Sequence, residues 1–210
     1  MKNLRMKALL IDTSTEKSFI AVGQLYPDCR IFEEIKLTQP SSKTLFPALK
    51  RVFSSDIQVL IVGVGPGSYT GIRVGVAAAK AVAFAKKLPI ISVSAIEAFT
   101  GPTPYVSVID ARFSGVYAAF PNSDARLYSI DEFHKAYSPE TVIVSPHPEI
   151  LKRRLKCTNY LEKLPESRFL LQKAKVKWEN NDYSMNAEAK ILYLKETHAE
   201  SELKRKRAVE

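Results

Sequence analysis

The sequence predicts an α/β protein of two related lobes, and three observations carry that prediction. Short apolar segments rich in β-branched residues alternate with segments of helical spacing. A pattern of strand, aspartate, polar turn and strand occurs twice, as LLIDTSTEKSFIAV around Asp12 and as VSVIDARFSGVYAA around Asp110, 98 residues further on. A chain of 210 residues, 46% hydrophobic and 25% charged, can build a sizeable core, either one large domain or two lobes of about 100 residues each.

Residues 8–11 form an apolar run and residues 19–23 another, with the polar DTSTEKS between them as a hairpin-like turn. Ile31, Ile35 and Leu37 offer a third strand. From Ser41 the spacing Leu45, Leu49, Val52, Phe53 is helical, and Ser41 or Ser42 is a natural N-cap. Residues 59–64 are apolar and β-branched without alternation, the pattern of a strand buried on both faces. A second helix is expected over 68–87, stopped before Pro89 because the residue preceding a proline is pushed out of the helical region. Residues 89–93 read as a buried strand, and Ser94 as the cap of a helix ended by Gly101 and Pro102. The pattern restarts at 105–109 and 116–120, with one more strand at 141–144. The rest is mostly helical and polar, so the second lobe reads as abbreviated, with lobes over 1–102 and 103–210.

Composition excludes several classes of function. No apolar run is long enough to span a bilayer, since residues 74–88 are interrupted by Lys80, Lys86 and Lys87. The N-terminal MKNLRMKALLID passes from charges straight into a short strand, which reads as a cytoplasmic protein. Cys29 and Cys157 form no C-x-x-C and read as packing residues. His134, His147 and His198 share no H-x-x-x-H, which argues against a zinc peptidase. The formal charge is +9, and residues 151–210 hold 15 Lys or Arg against 9 Asp or Glu. A solvated basic face is the plainer reading, with RNA contact by the LKRRLK segment at 151–156 or the tail at 204–207 as the alternative.

The glycine-rich joint in VLIVGVGPGSYTGIRVGVAAAKAVAFAKKLP turns a strand sharply into a helix that Ser68 or Thr70 can cap. It is a poor phosphate cradle: Gly71 is followed by Ile72 and Arg73 where a phosphate loop needs lysine, and Pro66 removes an amide donor. Inside the helix, Gly71 and Gly75 lie four apart, with Ala78, Ala79 and Val82 continuing the side. Each mid-helix glycine costs about 1 kcal/mol relative to alanine, so close packing should offset it. The neighbour could be the 41–53 helix or a helix of another chain.

GVGPGSYTGIRVGVAAAKAVAF followed by LPIISVSAIEAF resembles the signature segment of the TsaB (YeaZ) family, bacterial partner subunits in forming threonylcarbamoyladenosine in tRNA. Asp12 to Thr15 match that family's D-T-S-T, Val108 to Arg112 its V-I-D-A-R, and Tyr193, Leu194 and Lys195 its terminal Y-L-R. At 41–43 the family often has histidine, serine and an acidic residue, whereas this chain reads Ser41, Ser42, Lys43.

The resemblance implies the two-lobed actin-like ATPase (ribonuclease H-like) fold, with duplicated βββαβα lobes. It implies a non-catalytic subunit that pairs with a TsaD-like transferase through Leu45, Phe46, Leu49, Gly71, Val74, Gly75 and Ala78. On that reading Gly75→Arg should block pairing and leave the isolated fold largely intact. The same surface is expected to form a homodimer when the partner is absent, and a TsaE-like ATPase joins the complex. Asp12, Ser14, Thr15, Asp110 and Arg112 occupy the positions of a vestigial nucleotide site. No cofactor is expected on this chain alone; ATP and a metal would be held by the partner, and tRNA would be met through the complex. The competing expectation is an autonomous ATP-dependent phosphotransferase or ATPase using Asp12 and Asp110. Against it, no glycine follows Gly115, so the second lobe lacks the glycine-rich backbone of a nucleoside pocket.

Overall fold

The computed structural model describes residues 5–121 and 123–194. It contains two five-stranded sheets of equivalent connectivity. In the first, β1 (Met6–Asp12), β2 (Phe19–Tyr26) and β3 (Arg30–Lys36) form an antiparallel meander. Next come α1 (Ser41–Val52), β4 (Val59–Gly63), α2 (Tyr69–Lys86) and β5 (Ile90–Val93), with β4 parallel to β1 and to β5. The second sheet repeats this with β6 (Tyr105–Asp110), β7 (Val116–Ala119), β8 (Arg126–Tyr128), β9 (Val142–Ser145) and β10 (Tyr160–Glu162). Strand orders 3-2-1-4-5 and 8-7-6-9-10 superimpose the two halves, so the repeat read around Asp12 and Asp110 is a duplication of topology. The helices between the later strands, α3 (Ile130–Ala136) and α4 (Pro148–Lys152), are much shorter than α1 and α2.

Strand alternation builds two layers on the first sheet. Leu9, Ile11, Leu60 and Val62 point to one face and meet Leu45, Leu49, Ile72 and Val76 of α1 and α2. Ala8, Leu10, Val59 and Ile61 point to the other. That second face is covered by a helix from the far end of the chain, α5 (Ser167–Glu179), whose Leu170, Leu171 and Ala174 are fully buried there. Ile109 and Val144 of the second sheet enter the same layer, so the lobes share a core. Val106, Val108, Phe133, Ile143, Leu151 and Leu155 form the second lobe's own layer.

The structure corrects the reading of several elements. Ser41 is the first helical residue, Pro40 holds the N-cap position, and no side chain caps α1. The helix expected after Ser94 is a single 3-10 turn over Ala95–Ala98; Ser94 Oγ donates instead to the Gly65 carbonyl at 3.3 Å. The short strands β8 and β10 carry too few residues to show a period. Beyond α5 the chain returns along the first lobe: Ser184 pairs with Ile90, the Leu192 amide donates to the Val64 carbonyl at 2.9 Å, and Tyr193 lies against Tyr69. The tail at 204–207, His198 and Lys195 lie outside the described residues.

Candidate functional site

At the glycine-rich joint, the β1–β2 turn sits in the elbow between β4 and α2. The Ser68 amide donates to the Ser14 carbonyl at 2.7 Å, and the Thr13 hydroxyl donates to the Gly71 carbonyl at 2.6 Å. Ser68, not Thr70, caps α2, its Oγ accepting from the Gly71 amide at 3.3 Å. A Cβ added at Gly71 would fall on the Thr13 carbonyl oxygen, and one at Gly75 on the Thr13 hydroxyl. Gly71 and Gly75 therefore admit Thr13, so the close neighbour at the glycines of α2 is within the lobe. A cavity of about 100 Å³ remains between this turn and the first turns of α1 and α2, lined by Thr13, Thr15, Glu16, Ser41, Ser68 and Thr70 among others.

Both turn aspartates are engaged by the protein's own groups, Asp12 buried and Asp110 partly exposed. Asp12 is 3% exposed, and its Oδ1 accepts from the Ser14 amide at 2.8 Å. Burial pushes its carboxyl up to about 6, against the lowering effect of Ser14 and Lys36. Gly63 seals it, since a Cβ there would lie 2.6 Å from the Asp12 carboxyl carbon. Asp110 forms an ion pair with Arg154, which also donates to the Gly115 carbonyl at 3.2 Å. Ser14 is fully buried with its hydroxyl unpartnered, and the Thr15 hydroxyl accepts from the Lys17 amide at 3.2 Å. Arg112 is exposed in the left-handed region at φ 55°. Asp12 is buried and Asp110 is occupied by the Arg154 guanidinium, so neither carboxylate is presented to a metal ion and these residues do not fit a metal–nucleotide site. Among the described residues no group of three or more His, Cys, Asp or Glu could hold a metal.

The seven expected interface residues divide. Leu45, Leu49, Gly71, Gly75 and Ala78 are buried in the first lobe; Phe46 is 58% exposed and Val74 partly so. The face of α2 that does meet solvent lies beside the glycine stripe and carries Val74, Ala77, Ala81 and Phe84, the last 81% exposed. Phe46 and Pro47 of α1 add to the exposed apolar surface. Positions 70, 74, 77, 81 and 84 recur at helical spacing, a signal masked by the glycines one residue away. Among the described residues no helix is long and apolar enough to cross a membrane.

Two equivalent sheets with an aspartate ending the first strand of each define an actin-like, ribonuclease H-like protein. Residues 40–151, more than half of the chain, match the family model described as TsaD: tRNA N6-adenosine threonylcarbamoyltransferase. The chain belongs to that family, and its curated relatives place it with the TsaB (YeaZ) proteins. It is 29% identical over 152 residues to the tRNA threonylcarbamoyladenosine biosynthesis protein TsaB of Escherichia coli, covering 65% of this chain and 64% of that one. The TsaB of Haemophilus influenzae is 32% identical, covering 56% of this chain and 53% of its own, and that of Bacillus subtilis is 34% identical, covering 53% of each. The chain thus spans between half and two thirds of the length of these relatives in the matched region. A solved structure titled YeaZ from Pseudomonas aeruginosa shares the fold with a TM-score of 0.68 at 21% identity, covering 90% of this chain and all of that one. A second solved structure, titled an uncharacterized protein with similarity to peptidase YEAZ from Pseudomonas aeruginosa, gives 0.71 at 20% with the same coverage.

Proposed function

We propose that this chain is a non-catalytic subunit required for the threonylcarbamoyl modification of adenosine next to the anticodon, in tRNAs reading codons that begin with A. It acts by pairing with and supporting a TsaD-like transferase subunit. The observation that carries the reading is the open apolar surface of α1 and α2: Phe46, Pro47, Val74, Ala77, Ala81 and Phe84 meet solvent, while the carboxylates an enzyme would need are sealed or ion-paired. Helix faces of small residues admit close helix neighbours, and a large exposed aromatic at one end supplies an anchor.

On this reading the first lobe, 1–102, bears the docking helices and the second lobe spans 103–210, with α5 crossing back to complete the first. ATP and a metal belong to the partner, a TsaE-like ATPase joins the assembly, and tRNA is met through the complex in the cytoplasm. With the partner absent, a second copy of this chain closes the same surface.

Phe84→Asp tests the proposal. At 81% exposure its removal should leave thermal stability within about 0.5 kcal/mol of the parent. Co-purification with the transferase subunit should be lost, and the isolated chain should sediment as a monomer. Undiminished co-purification would overturn the assignment.

A further inference from the structure

The β6–β7 connection carries a feature that subunit pairing through α1 and α2 does not use. Phe113 at its tip is fully solvent-exposed, more so than any other large hydrophobic side chain among the described residues. The tip is held by its own backbone: the Ala111 amide donates to the Gly115 carbonyl at 3.1 Å, and the Gly115 amide to the Arg112 carbonyl at 3.3 Å. Gly115, at φ 116°, lies so close to the Tyr128 carbonyl that no side chain fits there. Arg154 pins the base through Asp110 and the Gly115 carbonyl. An aromatic side chain held out on so braced a turn is preorganised for contact.

Arg154 also brings the LKRRLK segment, 151–156, to the base of this tip. Of the acidic side chains in the neighbourhood, Asp110 is paired with Arg154 and Glu149 with Lys152, Glu132 accepts from the Ser129 amide, and Asp131 is exposed without an ion-pair partner among the described residues. Arg112, Arg153 and Lys156 are exposed and have no ion-pair partner among the described residues. A bare phenyl ring beside Arg112, with exposed Arg153 and Lys156 on the segment that Arg154 anchors to the base of the tip, offers the parts of a single-strand nucleic-acid platform, where a base stacks on the ring and cations face the phosphates.

We propose that the Arg112–Phe113 tip stacks on an unpaired nucleobase of RNA, with Arg112, Arg153 and Lys156 supplying the phosphate contacts. The inference rests on the reading of this chain as part of an RNA-modifying assembly, but its test needs no partner. Fluorescence anisotropy of the full chain with a fluorescein-labelled ten-nucleotide oligoadenylate is the measurement, at 50 mM and 200 mM KCl. Phe113→Ala should weaken binding about tenfold with an unchanged melting temperature, and Phe113→Trp should restore it. Arg153→Ala should weaken binding and flatten the salt dependence by about 0.7 in log–log slope. Phe84→Asp should bind the oligonucleotide like the parent, which separates this site from the docking face. Absence of binding by the parent chain at 50 mM KCl would overturn the proposal. So would a Phe113→Ala variant that binds oligoadenylate normally, including one that instead loses the transferase subunit.

Discussion

At Gly75 the difference between a hydrogen and a methyl group decides whether the β1–β2 turn can reach α2. The helix would gain about 1 kcal/mol from alanine at this position. The added Cβ would land on the Thr13 hydroxyl, whose hydrogen bond to the Gly71 carbonyl holds the turn. Overpacking of this kind costs about 1–3 kcal/mol or more, so Gly75→Ala should lower the melting temperature by several degrees, and Gly75→Arg should fail to fold. This reverses the expectation that Gly75→Arg acts only on a partner. Asp12 gives a second prediction at this scale. Its folded-state carboxyl is raised to about 6 from an ordinary value near 3.8, so the folded protein holds a proton that the unfolded chain has released between those values. Stability from this group therefore falls as pH rises from about 4 to about 6 and stays lost above. Asp12→Asn removes the titration. Its stability relative to the parent should increase by roughly 2–3 kcal/mol between pH 4 and pH 7.5, read from denaturant melts at both pH values. A difference independent of pH would refute it.

Among the elements, α5 shows how far a helix can lie in sequence from the surface it completes. Leu170, Leu171 and Ala174 are buried against Leu10, Phe19 and Ala21, about 150 residues earlier. Leu171→Ala should cost about 2–5 kcal/mol, measured by denaturant unfolding, and the loss should be felt in the first lobe. Elements that bury themselves were legible: β4 announced its two buried faces by five consecutive apolar residues, and α2 its start at Ser68 and its end before Pro89. What was not legible depended on distant partners. The polar sequence of α5 gives no clue to the sheet that receives it, and the Ser41 hydroxyl looked like a cap because nothing local shows Pro40 in that place. On α2 the glycines were read correctly as a close-approach stripe, but the sequence does not say which neighbour approaches. Thr13 takes that side, which leaves the next stripe, Val74 to Phe84, to face outward.

For the whole molecule, the duplicated fold and its two aspartates allow either an enzyme or a scaffold, and the two make opposite demands on the same residues. An ATP-using enzyme needs such carboxylates free to hold a metal ion or its waters. A scaffold needs only their structural bonds: Asp110 accepting from Arg154 and Asp12 accepting from the Ser14 amide. Asparagine keeps an acceptor oxygen at each place and removes the charge. In cells depleted of this protein, threonylcarbamoyladenosine measured by mass spectrometry of tRNA nucleosides should fall. The parent chain should restore it, and so should Asp12→Asn and Asp110→Asn, whereas Phe84→Asp should not. Restoration by Phe84→Asp together with failure of both asparagine variants would make the chain a catalyst in its own right. The isolated chain should likewise give no saturable heat with magnesium ATP, because Arg154 already neutralises Asp110 and Asp12 lies sealed behind Gly63.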